Sequence, residues 1–95
     1  MAQFVATCQD IEDGLAVRLS AREAHLAYVR TMPPGFIKLA GPFLDSTGGM
    51  CGSMFIFEAE GREAVDAYFA KDPYVLAGLF ASVEIRPWRV TIPWR

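Results

Sequence analysis

The chain has one histidine, two cysteines and no long run of basic or of apolar residues, and each shortage excludes a class of function. Cys8 and Cys51 are too few for a disulfide framework and show neither the CxxC nor the Cys/His spacing of a zinc site. Both are read as reduced thiols, with a redox or nucleophilic role left open beside the commoner one of an inert buried thiol. Nine Lys and Arg against eleven Asp and Glu leave a net charge of −2. Without a basic run of five or more to attract phosphate backbones, nucleic acid is not an expected partner. No uninterrupted apolar stretch approaches the roughly 18 residues a membrane span needs. The opening Met1-Ala2-Gln3-Phe4 also lacks the charged and apolar regions of a secretory signal, so a cytoplasmic protein without a membrane partner is expected. Gly48-Gly49 and Gly52 match neither GxxxxGK[ST] nor GxGxxG, which argues against a phosphate cradle, and no cofactor or metal is expected.

Apolar residues, by contrast, are plentiful. They form 53% of the 95 residues, against 21% charged. A chain of this length makes one domain, 1–95, with incomplete burial, so the excess apolar surface favours self-association, first as a homodimer and alternatively as a higher oligomer.

Gln3 to Cys8, with Phe4, Val5 and Thr7, reads as a first strand, followed by a polar loop to Gly14. Ser20-Ala21-Arg22-Glu23 has the form of a capping box, which predicts a helix starting at Ser20 and ending at Pro33-Pro34. Arg22, His25, Leu26 and Val29 then share one stripe and face inward. Phe36 to Phe43 reads as a second strand, Leu44 to Cys51 as a hairpin loop, and Gly52 to Glu58 as a third strand. Gly61 to Lys71 is a second helix, a further helical turn runs towards Phe80, and Ser82 to Trp88 is a fourth strand that the tail Arg89 to Arg95 extends. The order β-α-β-β-α-β predicts an α+β ferredoxin-like sandwich, two helices on one face of a four-stranded antiparallel sheet. Pro42 and Pro87 fall in strands two and four, the edges of that topology. Met54 and Ile56 alternate with Phe55 and Phe57, so the second face of the sheet is apolar too and calls for cover. Trp88 and Trp94 suit core or interface anchors.

That topology brings the end of the second helix towards the first, so His25 and Asp72 should converge. A histidine paired with a carboxylate is an acid–base unit: the carboxylate sets the tautomer and stabilises the imidazolium. Competing readings stand beside it. His25 also suits a satisfied core residue, and Asp72, followed by Pro73, suits a helix N-cap. Arg22, read as a first-turn cation opposing the helix dipole, suits an anion clamp, a partner for Asp72 or a solvated side chain.

Arg22-Glu-Ala-His25-Leu26, Ala40-Gly41-Pro42 and Asp72-Pro73-Tyr74 with Gly78 resemble the YciI-like (YCII-related) family across nearly the whole chain. The resemblance implies a ferredoxin-like fold whose sheets pair in a dimeric α+β barrel. It implies that His25 and Asp72 are the catalytic pair in a pocket beside the barrel, with Arg22, Gly41, Pro42, Ser53 and Tyr74 on the substrate side. The implied activity is cofactor-free lyase or isomerase chemistry on a small cyclic substrate such as a hydroxylated aromatic or a lactone. A non-catalytic binding or assembly domain is the alternative, and a cofactor-free oxygenase of the same superfamily a third reading.

Overall fold

The structure is a computed structural model that describes residues 1–94. Its elements are β1 (Ala2–Asp10), α1 (Leu15–Arg30), β2 (Ile37–Leu44), β3 (Met50–Ala59), α2 (Arg62–Lys71), the single turn α3 (Pro73–Leu76) and β4 (Phe80–Trp88). Every strand pair is antiparallel and the order across the sheet is β2-β3-β1-β4, the ferredoxin-like arrangement. Pro42 and Pro87 lie on its two edge strands, where a missing amide donor costs no ladder bond between central strands. Among the described residues no helix is long and apolar enough to cross a membrane.

Strand alternation divides the sheet into two faces. Phe4, Ala6 and Cys8 of β1 and Phe55 and Phe57 of β3 point under the helices, where Val65, Tyr68 and Phe69 of α2 close the core. Phe55, Phe57, Tyr68 and Phe69 touch one another in stacked, tilted and edge-on pairs, with ring centroids 5.0 to 5.7 Å apart. Such pairs add roughly 0.5–1.5 kcal/mol each beyond the area they bury. The intervening residues Val5, Met54 and Ile56 face the other way, onto a side that no helix covers.

The first helix begins five residues before Ser20. Asp13 adopts φ 55°, turning the chain, and the Arg18 amide donates to the Gly14 carbonyl at 2.9 Å, so Gly14 is the N-cap. Ser20 sits inside the helix, where its hydroxyl donates back to the Val17 carbonyl at 3.0 Å. The S-x-x-E pattern is an accident of helical composition here, because Ser hydroxyls bond local carbonyls in mid-helix as readily as they cap. Arg22 is therefore not in the first turn, and the dipole argument for it falls. The tail is corrected as well: β4 stops at Trp88, and residues 89–94 add no strand, although the Val90 amide donates to Gln3 Oε1 at 3.0 Å. Arg95, the last residue of that expected extension, lies outside the described residues. Trp88 and Trp94 are exposed, so neither is a core anchor.

Candidate active site

Two polar residues are what α1 buries most deeply. Arg18 is 3% exposed and His25 8%, while Leu15 and Leu19 stay outside. Seven residues make two helical turns, so both project from one stripe about 10.5 Å apart along the axis.

Arg18 reaches the sheet. Its Nε and Nη2 donate to Asp10 Oδ2 and Oδ1, both at 2.9 Å, and Nη2 also donates to the Gly52 carbonyl at 2.8 Å and to Ser53 Oγ at 2.9 Å. Gly52 also lets β1 and β3 lie close, since a Cβ there would stand 2.5 Å from the Cys8 carbonyl oxygen. A bidentate pair this enclosed is held by its geometry: removing one partner strands a buried charge at a cost of about 3–5 kcal/mol.

Two turns further along the same face, His25 Nδ1 meets Asp72 Oδ1 at 2.9 Å. Asp72 is completely buried, and the same Oδ1 accepts the Tyr74 amide at 2.9 Å as the N-cap of α3, with Pro73 in the first helical position. Capping and pairing thus share one oxygen. An ionised carboxylate only accepts, so the proton between the two groups belongs to Nδ1, and the lone pair of the neutral ring is left on Nε2. Nε2 has no hydrogen-bond partner among the described residues, and 10% of the side chain is open. The Tyr74 ring stacks on His25 at 3.9 Å and 15°, and the Arg18 guanidinium lies 4.9 Å from the centre of the same ring. Tyr74 therefore links the two buried polar centres of α1.

The negative charge of Asp72 reaches several neighbours. Burial, reinforced by Asp72, pushes the Cys8 thiol up to about 12, with Arg18 opposing. Burial and then Asp72 also raise the phenols of Tyr68 and Tyr28 above their ordinary value. Tyr74 is raised by burial, and the charges of Arg18 and Arg22 pull it back.

Of the residues singled out in the sequence, His25, Asp72 and Tyr74 come together, and Ser53 joins them through Arg18. Arg22 is exposed on α1 yet close enough for its charge to act on Tyr74. Pro42 lies opposite Ser53 across the β2–β3 ladder, one strand further out. Gly41 pairs with Met54 and belongs to the other face, in a groove of about 250 Å³ with Leu39, Phe43 and Ile56. A larger cleft of about 850 Å³ lies where the strand ends and loops meet, beside Gln9, Asp10, Asp45, Cys51 and Glu84. Neither depression contains His25 or Asp72. Of the carboxylates in the larger cleft, Asp10 is committed to Arg18, and the histidine–carboxylate pair lies outside both depressions. Among the described residues no three His, Cys, Asp or Glu side chains group as a metal site. Arg18 and Asp10 were missed by sequence reading; the available signal was an arginine two turns before the sole histidine on the same stripe.

The YCII-related domain family matches residues 2–89. Protein YciI of Escherichia coli O6:H1 is 39% identical over 93 residues, covering 90% of this chain and 95% of its own. An uncharacterised protein of Haemophilus influenzae is 36% identical over the same shares. Among solved structures, the 5-chloro-2-hydroxyhydroquinone dehydrochlorinase TftG of Burkholderia phenoliruptrix AC1100, in complex with 2,5-dihydroxybenzoquinone, superposes with a TM-score of 0.85 at 34% identity, over 92% of this chain and 93% of that one.

Proposed function

Because the chain belongs to the YCII-related domain family, we propose that it is an acid–base enzyme of lyase type acting on a small hydroxylated ring, with His25 and Asp72 as its working pair. The observation that carries this reading is the 2.9 Å contact from His25 Nδ1 to a fully buried carboxylate, with Nε2 left free. The likeness to a dehydrochlorinase supports the reaction type. On a dihydroxylated ring bearing a leaving group, Nε2 takes a hydroxyl proton and returns it to the ring carbon that carries the leaving group. The resulting keto tautomer loses its second hydroxyl proton and expels the leaving group with its bonding pair, giving a quinone and HX. Asp72 keeps Nδ1 protonated and stabilises the imidazolium between the two transfers. Tyr74, stacked on the imidazole, holds its plane, Arg22 offers a positive charge near Tyr74, and Ser53 and Pro42 lie on the substrate side.

The test is chloride release from 5-chloro-2-hydroxyhydroquinone, followed with an ion-selective electrode and by quinone absorbance. Wild-type protein should turn the compound over, and His25→Ala should lose roughly 10²–10⁴-fold, the range of a general acid–base. Undiminished release by His25→Ala rejects the pair as the catalytic unit.

The near-complete enclosure of His25 favours one other reading, a binding or assembly domain in which the histidine is structural. Thermal melting separates the two. A large drop in Tm for His25→Ala without loss of any turnover belongs to the second reading.

A further inference from the structure

Asp72 Oδ1 has two donors, but Asp72 Oδ2 has none among the described residues, although it is wholly enclosed. The other enclosed side-chain polar atom without a partner is the Tyr68 hydroxyl. These two atoms belong to residues 68 and 72, four apart along α2 and its C-cap, and so stacked one turn above the other on a single helix face. Buried polar atoms are rarely left alone, because each lost partner costs about 1–3 kcal/mol. One donor and one acceptor, a helical turn apart and each without another partner, are able to answer each other.

We propose that Tyr68 is a positioning residue: its hydroxyl donates to Asp72 Oδ2 and so sets how strongly Asp72 holds the proton on His25 Nδ1. The inference rests on the His25–Asp72 pair described above. The effect of Asp72's charge in raising the Tyr68 phenol accords with it. With Oδ1 held by His25 and by the Tyr74 amide, Tyr68 is the remaining donor able to fix the carboxylate's rotation and to share its charge. The other titratable groups that feel Asp72 are Cys8 from β1, Tyr28 from α1 and Tyr74 from α3, the last two being phenols that remain neutral at physiological pH. Arg18 supplies the opposing positive charge. None of these occupies Oδ2.

A single histidine makes the test direct, since imidazole ¹⁵N and ¹³C resonances need no assignment. Tyr68→Phe keeps the ring in the core and removes only the hydroxyl. Asp72, then less neutralised, should attract the imidazolium more strongly, so the His25 titration midpoint should rise by roughly 0.5–1 pH unit, and Asp72→Asn should lower it. A midpoint moved by under about 0.2 unit in Tyr68→Phe overturns the proposal. If that variant does not fold, a crystal structure of the wild-type protein decides: an Oη–Oδ2 distance of about 2.5–3.0 Å upholds the contact, and one beyond about 3.5 Å rejects it. Neither readout uses turnover, so a protein that fails the chloride assay but shows the shift separates the two claims: the contact stands, and the catalytic reading falls.

Discussion

Cys8 shows how one residue records the electrostatics of the site around it. Its thiol sits at the end of the aromatic core on β1 and is held to about 12 against an ordinary 9.0, by burial first and then by Asp72. The raised value makes it a proton holder in the folded state. Below pH 9 the thiol is neutral both folded and unfolded and has no pH-linked effect; between 9 and about 12 the unfolded chain releases the proton while the folded chain keeps it, so stability falls as pH rises. The slope is about 1.4 kcal/mol per pH unit for one such group. Urea melts at pH 8 and pH 10 should therefore show wild-type protein losing about 1 kcal/mol more than Cys8→Ala over that interval. Equal losses in the two proteins would mean that the thiol ionises freely. Exposed Cys51, in contrast, should react with a thiol reagent in the native state while Cys8 stays silent.

Among the elements, α1 decides most about the site, and its start was misjudged from sequence. Five extra residues at its N-terminus place Arg18 on the same stripe as His25 and let it reach Asp10 across the end of β1. Ser20, taken as a cap, is an exposed mid-helix residue. Ser20→Ala should then leave stability within about 0.5 kcal/mol of wild type, where loss of a true N-cap would cost about 1 kcal/mol. Chemical denaturation of the two proteins measures the difference, and a loss at the cap level would restore the shorter helix. The Asp72-Pro73 step was read correctly from sequence, because its signal is local: a carboxylate that accepts the amide two residues on and a proline that fits the first helical position.

For the molecule as a whole, the uncovered side of the sheet is the feature with consequences. Val5, Met54 and Ile56 of the central strands share that side with Leu39, Gly41 and Phe43 of β2. Leu39, Phe43, Met54 and Trp88 are all exposed. We propose that this face pairs with the same face of a second copy. Light scattering on a sizing column should give twice the 10.5 kDa chain mass, and Met54→Lys, a charge at the middle of the face, should return the protein to a single chain mass. Met54 is partly solvated in the single chain, so the lysine is tolerated there without unfolding. A single chain mass for the wild-type protein would leave the apolar face to some other occupant.

Strand and helix order, the edge positions of the prolines, the apolar second face and the identity of His25 and Asp72 as partners were all legible in the sequence. They depend on periodicity, on local turn chemistry and on the few ways a β-α-β-β-α-β chain can fold. The Arg18–Asp10–Ser53 cluster and the stacking of Tyr74 on His25 were not. Each is a contact between side chains whose distance depends on where a helix starts and how deeply it packs, and a shift of a few residues at Gly14 changes which polar groups are enclosed together. Sequence determined which elements form and which way they run; tertiary packing decided which buried charges find partners, because that is settled only when the last water leaves the core.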